Sequence, residues 1–91
     1  MFTIQPTVTA GTITSGGTSQ VADTAKSRSF VYIQNTSDTV MYLNFGGAAT
    51  TGHILLPING GSWTNPPHCC PVNSINILCA TTGKTYAMIA K

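Results

Sequence analysis

The sequence predicts an all-β domain: a small antiparallel β-sandwich of jelly-roll or immunoglobulin-like type, with about seven short strands and an extended N-terminal arm. Three observations carry that prediction. Apolar residues alternate with polar ones over short runs, and no segment repeats with the 3.6-residue period of a helix. The runs recur at roughly 8 to 12 residue spacing and are bounded by Gly, Pro, Asn, Ser and Thr. The chain has 91 residues and no internal repeat, which suits one domain.

The first segment, residues 1–17 (MFTIQPTVTAGTITSGG), alternates Thr with Ile or Val but is cut by Pro6, Gly11 and Gly16-Gly17. It has strand propensity without continuity, so it needs another surface. The expectation is an arm that presents Phe2, Ile4 and Val8 to an adjoining subunit, adding a strand or filling a groove. A frayed terminus is the competing reading. The sandwich is placed at residues 18–91.

Ser19 to Ala22 makes a first short strand, followed by the polar link Asp23 to Ser27. In the stretch VYIQNTSDTVMYLNFGG from Val31 to Gly47, Val31 and Ile33 share one face and Phe30 and Tyr32 the other. Met41, Leu43 and Phe45 alternate in the same way with Val40 and Tyr42. Asn35-Thr36-Ser37-Asp38 between them is rich in side chains that hydrogen-bond their own backbone, which predicts a β-hairpin closed by a short loop. His53 to Ile58 and Ser62 to Thr64 flank Asn59-Gly60, a pair tolerant of positive φ, and predict a second hairpin. Pro57 cannot donate to a ladder, so its strand belongs at a sheet edge. Asn65-Pro66-Pro67 reads as a stiff crossing loop. Ser74 to Ala80, with Ile75, Ile77 and Cys79 on one face, predicts a third hairpin with Tyr86 to Ile89 across the Thr81 to Lys84 turn.

Composition narrows the functions. Charged residues are 7% of the chain, against roughly 25% in an ordinary soluble domain, while the hydrophobic 42% is near normal. A surface of Thr, Ser, Asn and Gly with so few ions points to a chain largely covered by neighbours, an assembly component. A domain this small also buries only about 60–65% of its unfolded surface, so outside contacts add needed stability. The four cations (Lys26, Arg28, Lys84 and Lys91) are scattered, which gives no footprint for nucleic acid. No run approaches the ~20 apolar residues of a membrane span, and no basic-then-apolar leader opens the sequence, so synthesis in the cytoplasm is expected.

Catalytic constellations are sparse. The acids are Asp23 and Asp38, both in expected loops, and there is no Glu; paired-carboxylate chemistry has little to work with. No Gly-x-Ser-x-Gly elbow occurs. Gly83-Lys84-Thr85 resembles the end of a phosphate-binding loop, but Leu78 stands where the first Gly would be and a strand follows, so it reads as a turn. His68-Cys69-Cys70, with Cys79 and His53, offers zinc-type atoms, yet vicinal cysteines aim their sulfurs apart; thiols packed as small hydrophobes are the favoured reading, and no metal or cofactor is expected. Three cysteines without a secretory leader argue against a disulfide framework. Asn35-Thr36-Ser37 matches a glycosylation acceptor but is more simply a turn. Trp63 beside the Thr64 to Pro67 loop either caps the core or sits in a subunit contact, ahead of a sugar-stacking platform.

Taken as a set, Arg28 to Asp38 (RSFVYIQNTSD), Met41 to Gly46 (MYLNFG), Gly60 to Trp63 (GGSW) and Ile75 to Gly83 resemble small structural proteins of tailed bacteriophage virions, of the capsid cement or decoration type. The likeness spans roughly residues 18 to 90; the arm, the vicinal cysteines and Pro66-Pro67 fall outside it. It implies a non-enzymatic all-β subunit, a homotrimer, bound to the major capsid protein on the outside of the phage head and reinforcing the shell. Nucleic acid, membrane and small-molecule substrate are not among the implied partners. On this reading Phe2, Ile4, Val8, Pro57, Trp63, Pro66 and Pro67 form the contact surfaces. The alternative is a receptor- or carbohydrate-binding part of a tail or head fibre.

Overall fold

Short β-branched and aromatic runs cut by Gly, Pro and Asn cannot extend into long strands, and the described residues form eight strands of three to six residues. The computed structural model describes residues 7–91. In chain order the strands are β1 (Thr9–Thr12), β2 (Gln20–Asp23), β3 (Val31–Asn35), β4 (Met41–Phe45), β5 (Ile54–Leu56), β6 (Ser62–Thr64), β7 (Ile75–Cys79) and β8 (Thr85–Ala90). The described residues contain no helix. Two four-stranded antiparallel sheets result, one ordered β1-β8-β3-β6 and the other β2-β7-β4-β5.

That order is a rolled ribbon. β1 lies beside β8, β2 beside β7, β3 beside β6 and β4 beside β5, as in one long hairpin whose tip is the β4–β5 connection. Rolling the ribbon then sets β3 against β8 and β4 against β7. The sandwich is a jelly roll, not an immunoglobulin-like arrangement.

The eighth strand comes from the segment expected to be an arm. Thr9 to Thr12 pair with β8, and Ile13 beyond them is fully buried in the core, its N–H donating to the Lys84 carbonyl at 2.8 Å. Gly17 N–H likewise bonds the Cys79 carbonyl at 2.8 Å. The interrupting glycine is part of the design: Gly11 lies opposite Tyr86, and a Cβ there would run into the Tyr86 ring, so the bare backbone lets the aromatic lie across the edge strand. Residues 9–13 thus belong to the sheet and core, within the segment expected to precede the sandwich. Phe2 and Ile4 lie outside the described residues.

None of the three expected hairpins pairs with itself. β3 and β4, β5 and β6, and β7 and β8 each divide between the two sheets, and the one direct hairpin joins β4 to β5. The loop chemistry is nonetheless as expected. The Asn35 carboxamide oxygen accepts from Ser37 N–H (2.9 Å) and Ser37 Oγ (2.7 Å), while its Nδ2 donates to the Thr39 and Leu56 carbonyls (2.8 and 3.1 Å). Asn59 and Gly60 take φ of 56° and 109°. Gly60 N–H donates to the Asn35 carbonyl and Asn35 N–H to the Gly61 carbonyl (2.7 and 2.8 Å), so the two arches are bonded to one another at the same end of the sandwich.

Alternation did identify the inner faces. Val31 and Ile33, Met41 and Leu43, Leu56, and Ile75, Ile77 and Cys79 are fully buried, with Tyr86 and Met88 nearly so. Each such aliphatic side chain contributes about 1.5–3 kcal/mol by leaving water. At one end, the Arg28 guanidinium is also fully enclosed. Its Nε and Nη2 donate to Asp23 (both 3.0 Å), Nη1 to the Pro71 and Asn73 carbonyls (both 3.0 Å) and Nη2 also to the Thr24 carbonyl. All five N–H groups are spent on tying the loop between β6 and β7 to the link between β2 and β3.

Candidate functional site

The site is built where the two sheets part near that clamped loop. Trp63, in edge strand β6, pairs with Ile33 across the sheet and stands half-buried. Its ring meets Phe45, the last residue of β4 in the opposite sheet, with centroids 4.9 Å apart and planes tilted by 45°. This is an attractive aromatic geometry that holds both rings at the rim of the core. Ile54 of edge strand β5 adds the third wall, and Pro66 with Cys69, Cys70 and Pro71 closes the groove from the loop side. The space is about 340 Å³ and almost entirely apolar in lining.

The loop is held from several directions. Asn65 Oδ1 accepts from Val31 N–H at 2.9 Å, and Asn65 N–H donates to the Val31 carbonyl at 3.2 Å. Cys69 N–H returns to the Pro66 carbonyl at 3.1 Å, making a turn with Pro67 second and His68 third at φ 62°. That is type II turn geometry, in which Pro presets the second position and the third is usually Gly or Asn. Pro67 therefore shapes the loop, while Pro66 lines the groove.

On the other side of the same loop, Arg28, Ser29, Asn65 and His68 line an open polar hollow of about 380 Å³. Its guanidinium has no free donor, so it offers nothing to an incoming anion. No group of three His, Cys, Asp or Glu side chains converges among the described residues to hold a metal. The thiols are separate in setting: Cys69 exposed, Cys70 half-buried, Cys79 within the core.

A second apolar surface lies on the outer face of the β2-β7-β4-β5 sheet. Leu78, Tyr42 and Leu55 sit side by side across β7, β4 and β5, and Leu55 is 51% exposed. Leu78 and Tyr42, with Val40, Ala80 and Gly17, border a shallow depression of about 350 Å³. Across all eight strands the one charged residue is Asp23. Both acids are already engaged: Asp23 with Arg28 and with Lys26 (3.1 Å), Asp38 with Lys84 (2.7 Å). The hydrogen bond from Lys84, then that from Thr39, holds the Asp38 carboxyl below the usual carboxylate range. Burial pushes the Tyr86 phenol up, outweighing the side chain of Gln20.

Of the residues that sequence reasoning selected, Trp63 and Pro66 meet in the groove and Pro67 stands behind it. Pro57 follows edge strand β5, as expected of an edge, but closes against Gly61, where a Cβ would strike the proline backbone. Val8, 63% exposed, flanks β1 at the opposite edge of the sheet from Trp63. Phe45, Ile54, Leu55 and Leu78 were not singled out. Phe45 shares its alternation with Met41 and Leu43, so it reads as core; what exposes it is the parting of the sheets, which no local pattern records. Leu55 carried a usable signal, as the middle apolar residue in Ile54-Leu55-Leu56. Comparison with protein-family models, with curated proteins and with solved structures finds no match for this chain.

Proposed function

We propose that this chain is a non-enzymatic structural protein of a tailed-phage virion, a capsid cement or decoration protein that binds the outside of the head as a homo-oligomer, a trimer, and strengthens contacts between major capsid subunits. One observation carries the reading: the outer faces of both sheets are free of charge, and large apolar side chains, Val8, Val21, Phe30, Leu55, Ile58 and Val72, stand exposed on the described residues. Shape-fitted neutral contact suits cementing, in which repetition over a lattice converts modest single affinities into firm retention. The jelly roll serves viral capsid and lectin domains alike, so the architecture is compatible without deciding the role. The residue resemblance from Arg28 to Gly83 supplies the remaining support.

The test is sedimentation of the purified chain alone and with tailed-phage heads stripped of accessory proteins. Oligomers in solution and saturable retention on heads are expected. A chain that stays a single subunit at high concentration and ignores every shell overturns the proposal. Sugar-induced quenching of Trp63, the chain's one tryptophan, would replace it with a carbohydrate-binding fibre component.

A further inference from the structure

The groove and strand β1 stand at opposite edges of one sheet. Thr9, Met88, Ile33 and Trp63 form a row across β1, β8, β3 and β6. Three strand spacings of about 4.8 Å separate its ends by about 14 Å. Lower-numbered residues of β1 run toward the end of the sandwich where Ala90 meets Val31 and Asn65 bonds Val31. The chain therefore leaves the sheet at the same end as the groove, on the far edge.

The residues that precede Thr7 in the sequence are Met1-Phe2-Thr3-Ile4-Gln5-Pro6, outside the described residues. Its side chains carry no charge, and Phe2 and Ile4, two apart, fall on one side of an extended chain. The groove has matching chemistry: two aromatic rings, Ile54, prolines and sulfur, with no ionised group in its lining. To reach the groove of its own subunit, Ile4 would have about 16 Å of fully extended chain from Thr9 to cross about 14 Å and then enter between the sheets, nearly taut and at right angles to β1. A neighbouring subunit placed edge to edge requires no such detour.

We propose that the groove between Trp63, Phe45 and Ile54 receives Phe2 and Ile4 of a second copy of this chain, joining subunits head to tail. A donor and an acceptor on opposite edges make a heterologous contact, which closes into a ring when the rotation between subunits divides a full turn. This rests on the homo-oligomer reading above and specifies the contact that builds it.

The test uses Cys69, an exposed thiol at the groove. Thr3→Cys in the full chain, oxidised mildly, is expected to give a ladder of disulfide-linked species on a non-reducing gel, ending at the ring's subunit number and absent from the wild type. Replacing Cys69 and Cys70 with Ser should abolish the ladder, and adding Phe2→Ser and Ile4→Ser should cut its yield by about tenfold or more. In a parallel readout, deleting residues 2–6 should shift Trp63 emission to the red. A Cys69-dependent link within one chain overturns the proposal, because the segment then fills its own groove. Wild-type oligomers in sedimentation without any Cys69-dependent link overturn the groove assignment and leave the homo-oligomer reading standing; a single subunit without links overturns both.

Discussion

Arg28 shows how a chain with six charged side chains spends one of them. Its five N–H groups bind Asp23 and three backbone carbonyls, and the side chain has no exposed surface. Removing one partner of an enclosed ion pair leaves the other group uncompensated. Arg28→Ala is expected to lower unfolding free energy by about 3 kcal/mol in a urea titration, with Arg28→Lys recovering only a part because an ammonium cannot span the fork. A loss under about 0.5 kcal/mol would mean the clamp is idle, as for an ordinary surface residue. Tyr86 makes a prediction of opposite chemistry. Its folded phenol is held above the ordinary value of 10.0 by burial, so its contribution is complete below that pH and is lost as pH climbs through the folded value. The Tm of the wild type should fall relative to Tyr86→Phe above about pH 10 and track it below. Equal curves across the range would contradict the burial argument.

At the scale of elements, β1 separates two effects that a single truncation would merge. Residues 9–13 belong to the sheet and core, with Ile13 fully buried, whereas residues 1–6 precede the strand. Deleting residues 2–6 should leave the monomer's urea midpoint nearly unchanged. Deleting residues 2–14 should cost about 3 kcal/mol or more through the lost Ile13 and the uncovered β8. Gly11→Ala, which drives a methyl group into the Tyr86 ring, should fall between them at about 1–3 kcal/mol. A full-stability 2–14 deletion would show that β1 adds nothing. The turn residues were legible and the pairings were not, for one reason. The Asn35 and Asn59-Gly60 bonds reverse the chain equally well in a hairpin or in an arch between sheets. What separates the two is whether the next strand turns its apolar face toward its predecessor's sheet or across the core.

Over the whole molecule, the scarcity of charge has a measurable consequence. The surface is 5175 Å², and a standard contact takes about 800 Å² from each partner, so a ring subunit with two contacts would cover about a third of itself. Neutral faces supply that area. Self-association measured by sedimentation should therefore change less than about threefold between 50 mM and 500 mM NaCl, since screening acts only on exposed charges. A steep salt dependence would place Lys26, Lys84 or Lys91 in the contact and displace the outer faces from it. Asp38, tied to Lys84 on the surface at 2.7 Å, would report a contact at that lysine. Its lowered value means that its contribution is present above about pH 4 and lost as pH falls through the folded value.

Alternation determined the all-β class and the inner faces of the strands from β3 to β8, while the missing N–H of Pro57 set its edge position and composition set the scarcity of charge. Each of these depends on one residue's chemistry or on a period of two, and both are written along the chain. Only the tertiary structure decided that β1 exists, that three expected hairpins are arches of a jelly roll, and that Phe45 and Trp63 meet over an open groove. Those outcomes depend on which strands lie together after the ribbon is rolled. Partners such as Gly11 and Tyr86, or Arg28 and Pro71, are brought together by the burial of a shared core and not by any local preference.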